Sequence, residues 1–240
     1  MNAIILAAGI SSRLRPLTDD IPKCLLPVGG RTLLERTLGS LGEHPFESFF
    51  LVTGYHEERI RESVARLAPR IPVEFVLNAR YATTSNAYSL WLALARCAGA
   101  PFVVLDADIL FHPALLARVL DSPHANPLAL RDGGVLGAEE IKVEQDGMGR
   151  ILRIGKDISP ARAAGESIGI ARFSAKAGTR LLAVLGRRKE QNEFYEASFQ
   201  ELLDGGEEMR TVSCGDLPCM EIDTPDDLRA AAEVAREIDR

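Results

Sequence analysis

Residues 3–9, AIILAAG, form an unbroken apolar run. A half-solvated strand alternates apolar and polar positions, but this one has no polar face. It has to be buried on both sides, as happens in parallel sheets covered by helices. The next segments keep to that plan. RTLLERTLGSLGEH carries Leu33, Leu34, Thr37, Leu38 and Leu41 at helical spacing. SFFLVTGY reads as a second strand. HEERIRESVARLA reads as a helix with Ile60, Val64 and Leu67 inward, and VEFVLN as a third strand. SNAYSLWLALARCA is a helix that Ser85 is placed to cap, and PFVVLDAD is a fourth strand ending in two carboxylates. Such alternation builds right-handed crossovers and a Rossmann-like, mostly parallel sheet flanked by helices. Ligands of these sheets bind beyond the carboxyl ends of the strands. The loop after the first strand, Asn78, Asp106 and Asp108 all fall there.

After about residue 125 the pattern shortens. PLALRDG, EIKVEQDGMGRILRIGK and SIGIARFS are separated by turn signals, which predicts a smaller antiparallel β element. AGTRLLAVLGRR is a helix, and PCMEIDTPDDLRAAAEVAREI is a strand running into a terminal helix. No linker, repeat or low-complexity tract interrupts the 240 residues. The expectation is one domain, 1–240, with a nucleotide-binding half to about 125 and an acceptor-binding half beyond it.

The net charge of −6 leaves no basic excess for a nucleic-acid backbone. Cysteines 24, 97, 214 and 219 and four scattered histidines have no zinc spacing, which fits reduced thiols. AIILAAG is too short for a signal sequence, and no run reaches a membrane span. A cytoplasmic protein is expected.

Against that acidic background the loop GISSRLRPLTDDIPK gathers Arg13, Arg15 and Lys23. Small residues after a strand let main-chain N–H groups converge on an anion. An arginine fork matches two phosphate oxygens at once. A Walker loop and a dinucleotide fingerprint are both absent. By residues alone the choice lies between a triphosphate cradle and an ordinary loop with surface arginines.

LAAGISSRLRPLTDDIPKCLLPVGGRTLLE closely resembles the signature of the sugar nucleotidyltransferase superfamily. The DAD strand and EIDTPDDL extend that resemblance over nearly the whole chain. It implies transfer of a nucleoside monophosphate from an NTP to a phosphate monoester by direct displacement, with release of pyrophosphate. It also implies that Gly9, Ser11, Ser12 and Arg13, with Leu6 and Ala8, cradle the nucleotide, and that Lys23 touches phosphate near the reacting centre. Arg13, Lys23 and Asp108 form the implied catalytic set. Asp108, in the position of the family's G-D-x aspartate, and Asp223 are the implied magnesium ligands. Oxygen ligands of this kind suit Mg²⁺. For Asp226 and Asp227 a place at the start of the terminal helix is expected.

NARYATTSNAYSLWLA resembles the bacterial choline-phosphate cytidylyltransferases within the superfamily. That places Asn78, Ser85, Asn86 and Ser89 about the nucleotide, CTP first, while Asp106, the weaker metal candidate, is expected on the nucleotide side to support the loop or meet the ribose. A carboxamide can donate to the cytosine carbonyl and accept from its amino group. Lys156, in the position of the family's E-K-P lysine, is assigned to the acceptor phosphate. A cationic head group wants an acidic or aromatic lining, and Glu166, Glu193, Tyr195 and Glu196 are its candidates, with Gly169 beside them. The expected partners are an NTP and a small phosphate or phosphonate acceptor such as phosphocholine. No nucleic acid or membrane is expected, and a homodimer is compatible with the sequence. The alternative is a sugar- or polyol-1-phosphate enzyme using UTP, dTTP or GTP.

Overall fold

The computed structural model describes residues 1–67, 71–134, 136–190 and 192–240. The first half runs β1 (Asn2–Ala7), β2 (Pro27–Val28), β3 (Arg31–Thr32), α1 (Leu33–Gly42), β4 (Ser48–Thr53), α2 (Glu57–Leu67), β5 (Val73–Leu77), α3 (Asn86–Leu94), β6 (Phe102–Asp106), β7 (Ile109–Phe111) and α4 (Pro113–Leu120). The second half adds β8 (Pro127–Asp132), β9 (Lys142–Gln145), β10 (Ile151–Gly155), β11 (Gly165–Phe173), α5 (Ala175–Arg188), α6 (Tyr195–Asp204), β12 (Arg210–Ser213), β13 (Cys219–Glu221) and α7 (Pro225–Ile238). Ala68, the last residue of the expected second helix, lies outside the described residues.

The central sheet has the order β10-β9-β11-β6-β1-β4-β5, with β8 joining β11 and β12 joining β8. β6, β1, β4 and β5 are mutually parallel. The antiparallel strands expected in the second half are continuous with them, because β11 pairs antiparallel with β6. The β1 side chains divide between two cores. Ile4 and Leu6 pack with α3, α5 and α6, while Ala3, Ile5 and Ala7 pack with α1, α2 and α4. Both faces are dry, as the unbroken apolar run requires. Leu33, Leu34, Thr37, Leu38 and Leu41 are all buried on α1, which a Thr32–Glu35 capping box starts.

A third, smaller core seats α7 on the β2–β3 turn through Val28, Ala231 and Ala235. Buried Arg36 ties the same place together by donating to the Val28 carbonyl at 2.9 Å and pairing with Asp239. Gly29 has φ +61° there, and a Cβ on it would stand 2.8 Å from the Ala235 Cβ. Thr224 and Asp227 form the capping box of α7, so Asp227 serves the helix start as expected.

β7 and β13 pair as a separate antiparallel ribbon with Ile109 opposite Glu221. The Ile222 N–H donates to the Asp108 carbonyl at 3.1 Å. This ribbon lies just past the end of β6 and brings two distant acidic segments side by side.

Candidate active site

A cavity of about 440 Å³ opens at the carboxyl ends of β1 and β6. That volume is in the range of sites for small ligands. The loop after β1 forms one wall through Ala8, Gly9, Ser11, Ser12 and Arg13, with Leu6 beneath. Ser11 takes a left-handed backbone at φ 55°, and the short turn Ser12–Leu14 follows. The N–H groups of residues 9–12 find no acceptor among the described residues, the arrangement of an anion nest.

The charged groups are arranged more tightly than the sequence indicates. Lys23 Nζ lies 2.8 Å from Asp108 Oδ2 and 2.7 Å from Asp223 Oδ1. Arg13 donates to the other oxygen of Asp223 at 2.6 Å. Burial opposes the Lys23 ammonium, but the two aspartates outweigh it and hold Lys23 charged beyond the ordinary lysine range. Burial also opposes ionised Asp223, yet Lys23 and Arg13 together keep its carboxyl below the usual carboxylate value.

Glu221 joins Asp108 and Asp223, with one oxygen of each within 4.8 Å of the others. Desolvation in the cleft and then repulsion by Asp108 and Asp223 push Glu221 up to about 8. The sequence reading missed Glu221. Its signal was the E-I-D spacing: residues two apart on a strand share a face. Three carboxylates offer hard oxygen donors at one point, which fits a divalent cation such as Mg²⁺.

Asn78, Ser85, Asn86, Ser89 and Asp106 all line the cavity. Asn78 is fully engaged by the protein, and this departs from a free base-reading amide. Its Nδ2 donates to Thr84 at 3.1 Å and Ser89 at 3.0 Å, while its Oδ1 accepts from the Arg80 N–H at 2.9 Å. It braces the loop into α3. Ser85 stands at the N-cap position of α3, but its hydroxyl makes no capping bond. Asp106 accepts from the Tyr195 hydroxyl at 2.6 Å. Burial and then the charges of Asp108 and Glu196 raise the Asp106 carboxyl well above its ordinary value. Trp91 packs against the core, as a helix position of its type does.

Of the residues expected to bind the acceptor, Lys156, Gly169 and Glu196 line the cavity. Lys156 reaches Glu139 at 3.0 Å and stands 4.6 Å above the ring of Phe194, a wall residue the sequence reading also missed. Glu196 is buried and its Oε2 has no partner among the described residues. Burial pushes this carboxyl up to about 7. Gly169 has φ +72°, and a Cβ there would come within 2.5 Å of Asp106.

Three acceptor candidates are corrected. Glu166 is not part of the cavity wall and pairs with Arg131. As a β11 residue beside Ser167, it points to the opposite face. Glu193 pairs with Arg188 at 2.5 Å and is likewise absent from the wall. Tyr195 is 1% exposed and lies behind the wall, its hydroxyl spent on Asp106.

A mostly parallel sheet with a nest, two basic side chains and an acidic ribbon at its carboxyl edge has the chemistry to hold an NTP. The family model of the MobA-like NTP transferase domain matches residues 3–139, and the chain belongs to that family. It is 30% identical over 240 residues to the CMP-5'-(3-aminopropyl)phosphonate synthase of Streptomyces rubellomurinus, across 96% of this chain and 38% of that protein. It is 37% identical over 108 residues to the choline-phosphate cytidylyltransferase of Streptococcus pneumoniae, covering 45% and 44% of the two chains. The matched regions thus span less than half of either relative. The inositol-1-phosphate CTP transferase of T. maritima superposes with a TM-score of 0.82 over 100% of this chain and 96% of that one, at 24% identity. The CTP:phosphocholine cytidylyltransferase of Streptococcus pneumoniae superposes with a TM-score of 0.74 over 98% of each chain, at 22% identity. These likenesses concern the fold. Among the described residues no helix is long and apolar enough to cross a membrane.

Proposed function

We propose that the protein is a nucleotidyltransferase that moves CMP from CTP to a small phosphate or phosphonate acceptor bearing an ammonium group, and releases pyrophosphate. The observation that carries this reading is one cavity with the nest, Arg13 and Lys23 on one side and, on the other, the buried Glu196 carboxyl, whose Oε2 has no partner among the described residues. A triphosphate needs the first group of residues, and a cationic head group satisfies the last. The relatives named for CMP-aminopropylphosphonate and choline phosphate support an acceptor of this class.

Asp108 and Asp223, with Glu221 as a third ligand, would hold Mg²⁺, which when bound neutralises phosphate charge. The chain's own residues do the rest. The N–H groups of residues 9–12 and the Arg13 fork hold the triphosphate in line. Lys23 leaves its aspartates for phosphate oxygen as negative charge accumulates there. Lys156 exchanges Glu139 for the acceptor phosphate and orients its oxygen toward the α-phosphorus. The acceptor is already anionic, so catalysis consists of positioning and charge stabilisation.

Pyrophosphate release is measured with Mg²⁺ and each NTP against phosphocholine, 2-aminoethylphosphonate and a panel of sugar and polyol phosphates. Turnover with CTP and an amine-bearing acceptor is expected. Turnover with sugar phosphates alone would retain the triphosphate end and overturn the acceptor assignment.

A further inference from the structure

Two carboxamides line the nucleotide side of the cavity, and only one has a free edge. Asn78 uses both ends of its amide on the protein. Asn86, the first residue of α3, accepts at Oδ1 from the main-chain N–H of Tyr195 at 3.0 Å. A main-chain N–H can only donate, so the atom facing it is the amide oxygen and the carboxamide cannot be reversed. Tyr195 is itself fixed, with its ring against Phe199 at 4.9 Å and its hydroxyl on Asp106. The Nδ2 of Asn86 has no acceptor among the described residues. The group that Asn86 leaves wholly uncommitted is therefore the Nδ2 donor, while its Oδ1 already accepts one hydrogen bond.

We propose that Asn86 reads the base through Nδ2, donating to N3 of cytosine, in an orientation set by the main chain of Tyr195. The inference rests on the nucleotidyltransferase reading above. It changes the sequence expectation, because the free Nδ2 meets N3 rather than the cytosine carbonyl, and the amide oxygen is already engaged by the Tyr195 N–H. It also gives a reason for choosing cytosine. N3 of cytosine accepts a hydrogen bond, whereas N3 of uracil carries a hydrogen and has nothing to offer a donor.

The experiment is Asn86→Asp, with CTP and UTP titrated separately into variant and wild type by calorimetry. Aspartate keeps an oxygen for the Tyr195 N–H and is favourable in the first turn of a helix, so the fold is preserved. A melting curve checks this. CTP and UTP carry the same phosphates, so the added charge cancels in the ratio of their affinities. Wild type is expected to prefer CTP, and Asn86→Asp to shift that ratio at least tenfold toward UTP, whose N3–H meets the new acceptor. An unchanged ratio, or a shift toward CTP, overturns the proposal. A wild type that binds neither nucleotide defeats the nucleotidyltransferase reading itself.

Discussion

The two ends of the cavity handle buried charge in opposite ways. At the end proposed for the triphosphate, Lys23 is enclosed but sits between Asp108 and Asp223 at 2.8 and 2.7 Å. At the end proposed for the acceptor, Glu196 is enclosed to a similar degree and has an oxygen with no partner among the described residues. A buried, paired charge persists, whereas a buried, unpaired carboxyl holds its proton. The first end has its charges paired within the protein and, on the proposed function, exchanges those partners for a polyanion. On the proposed function, the second takes up a cation.

The sharpest way to break the comparison is at Asp223, which contacts both Lys23 and Arg13. Asp223→Ala is expected to reduce kcat/KM by about 10³, with a melting curve showing a folded protein. Near-normal pyrophosphate release would remove Asp223 from the reaction.

Lys156→Ala tests whether the acceptor end works independently. It should lower kcat/KM for the acceptor by about 10² while leaving the KM for CTP within a few-fold. Equal losses for both substrates in steady-state kinetics would move Lys156 out of the acceptor site.

The unpaired carboxyl predicts a pH signature. Folded Glu196 keeps its proton to about pH 7, while in an unfolded chain a glutamate releases it near pH ~4.3. Between those values the folded state binds more proton, so this group's contribution to stability falls as pH rises and is flat above about pH 7. Lys156 partly offsets the effect, and the neighbouring Asp106 and Tyr195 hydroxyl are drawn in with it. Glu196→Gln should be more stable than wild type by about 1–3 kcal/mol at pH 8 and equal to it at pH 4. The same variant should bind an amine-bearing acceptor more weakly. Denaturant melts at the two pH values decide the first point: a variant no more stable at pH 8 would mean that Glu196 already has a partner.

The smallest effect is expected at Glu166, which is also buried but pairs with Arg131 outside the cavity. Glu166→Gln should leave the acceptor KM within twofold. A tenfold rise would restore Glu166 to the site and blur the distinction between paired and unpaired acids.

The architecture was largely legible because it depends on local pattern. A short apolar run that ends in glycine reads as a strand buried on both faces, and the α1 spacing buries one stripe. That Gly9, Ser11, Ser12, Arg13, Lys23, Asp108 and Asp223 would gather at one place was legible through motif residues on short segments. Glu221 was overlooked although its two-residue offset from Asp223 marks it. Glu166, Glu193 and Tyr195 were misplaced because composition says that an acidic or aromatic residue is nearby but not which way it faces.

The amino-acid sequence by itself determined the βαβ order, the burial of both sheet faces and the charges that surround the loop after β1, since each follows from residues close together in the chain. Only the tertiary structure decided which charges meet. Lys23 and Asp223 are 200 residues apart and touch because β13 pairs with β7. Asn86 and Tyr195 are 109 apart, and their contact sets which edge of an amide is free. Hydrogen-bond polarity and charge pairing are properties of distance and direction between atoms, and those are fixed only when the sheet and its helices close around the site.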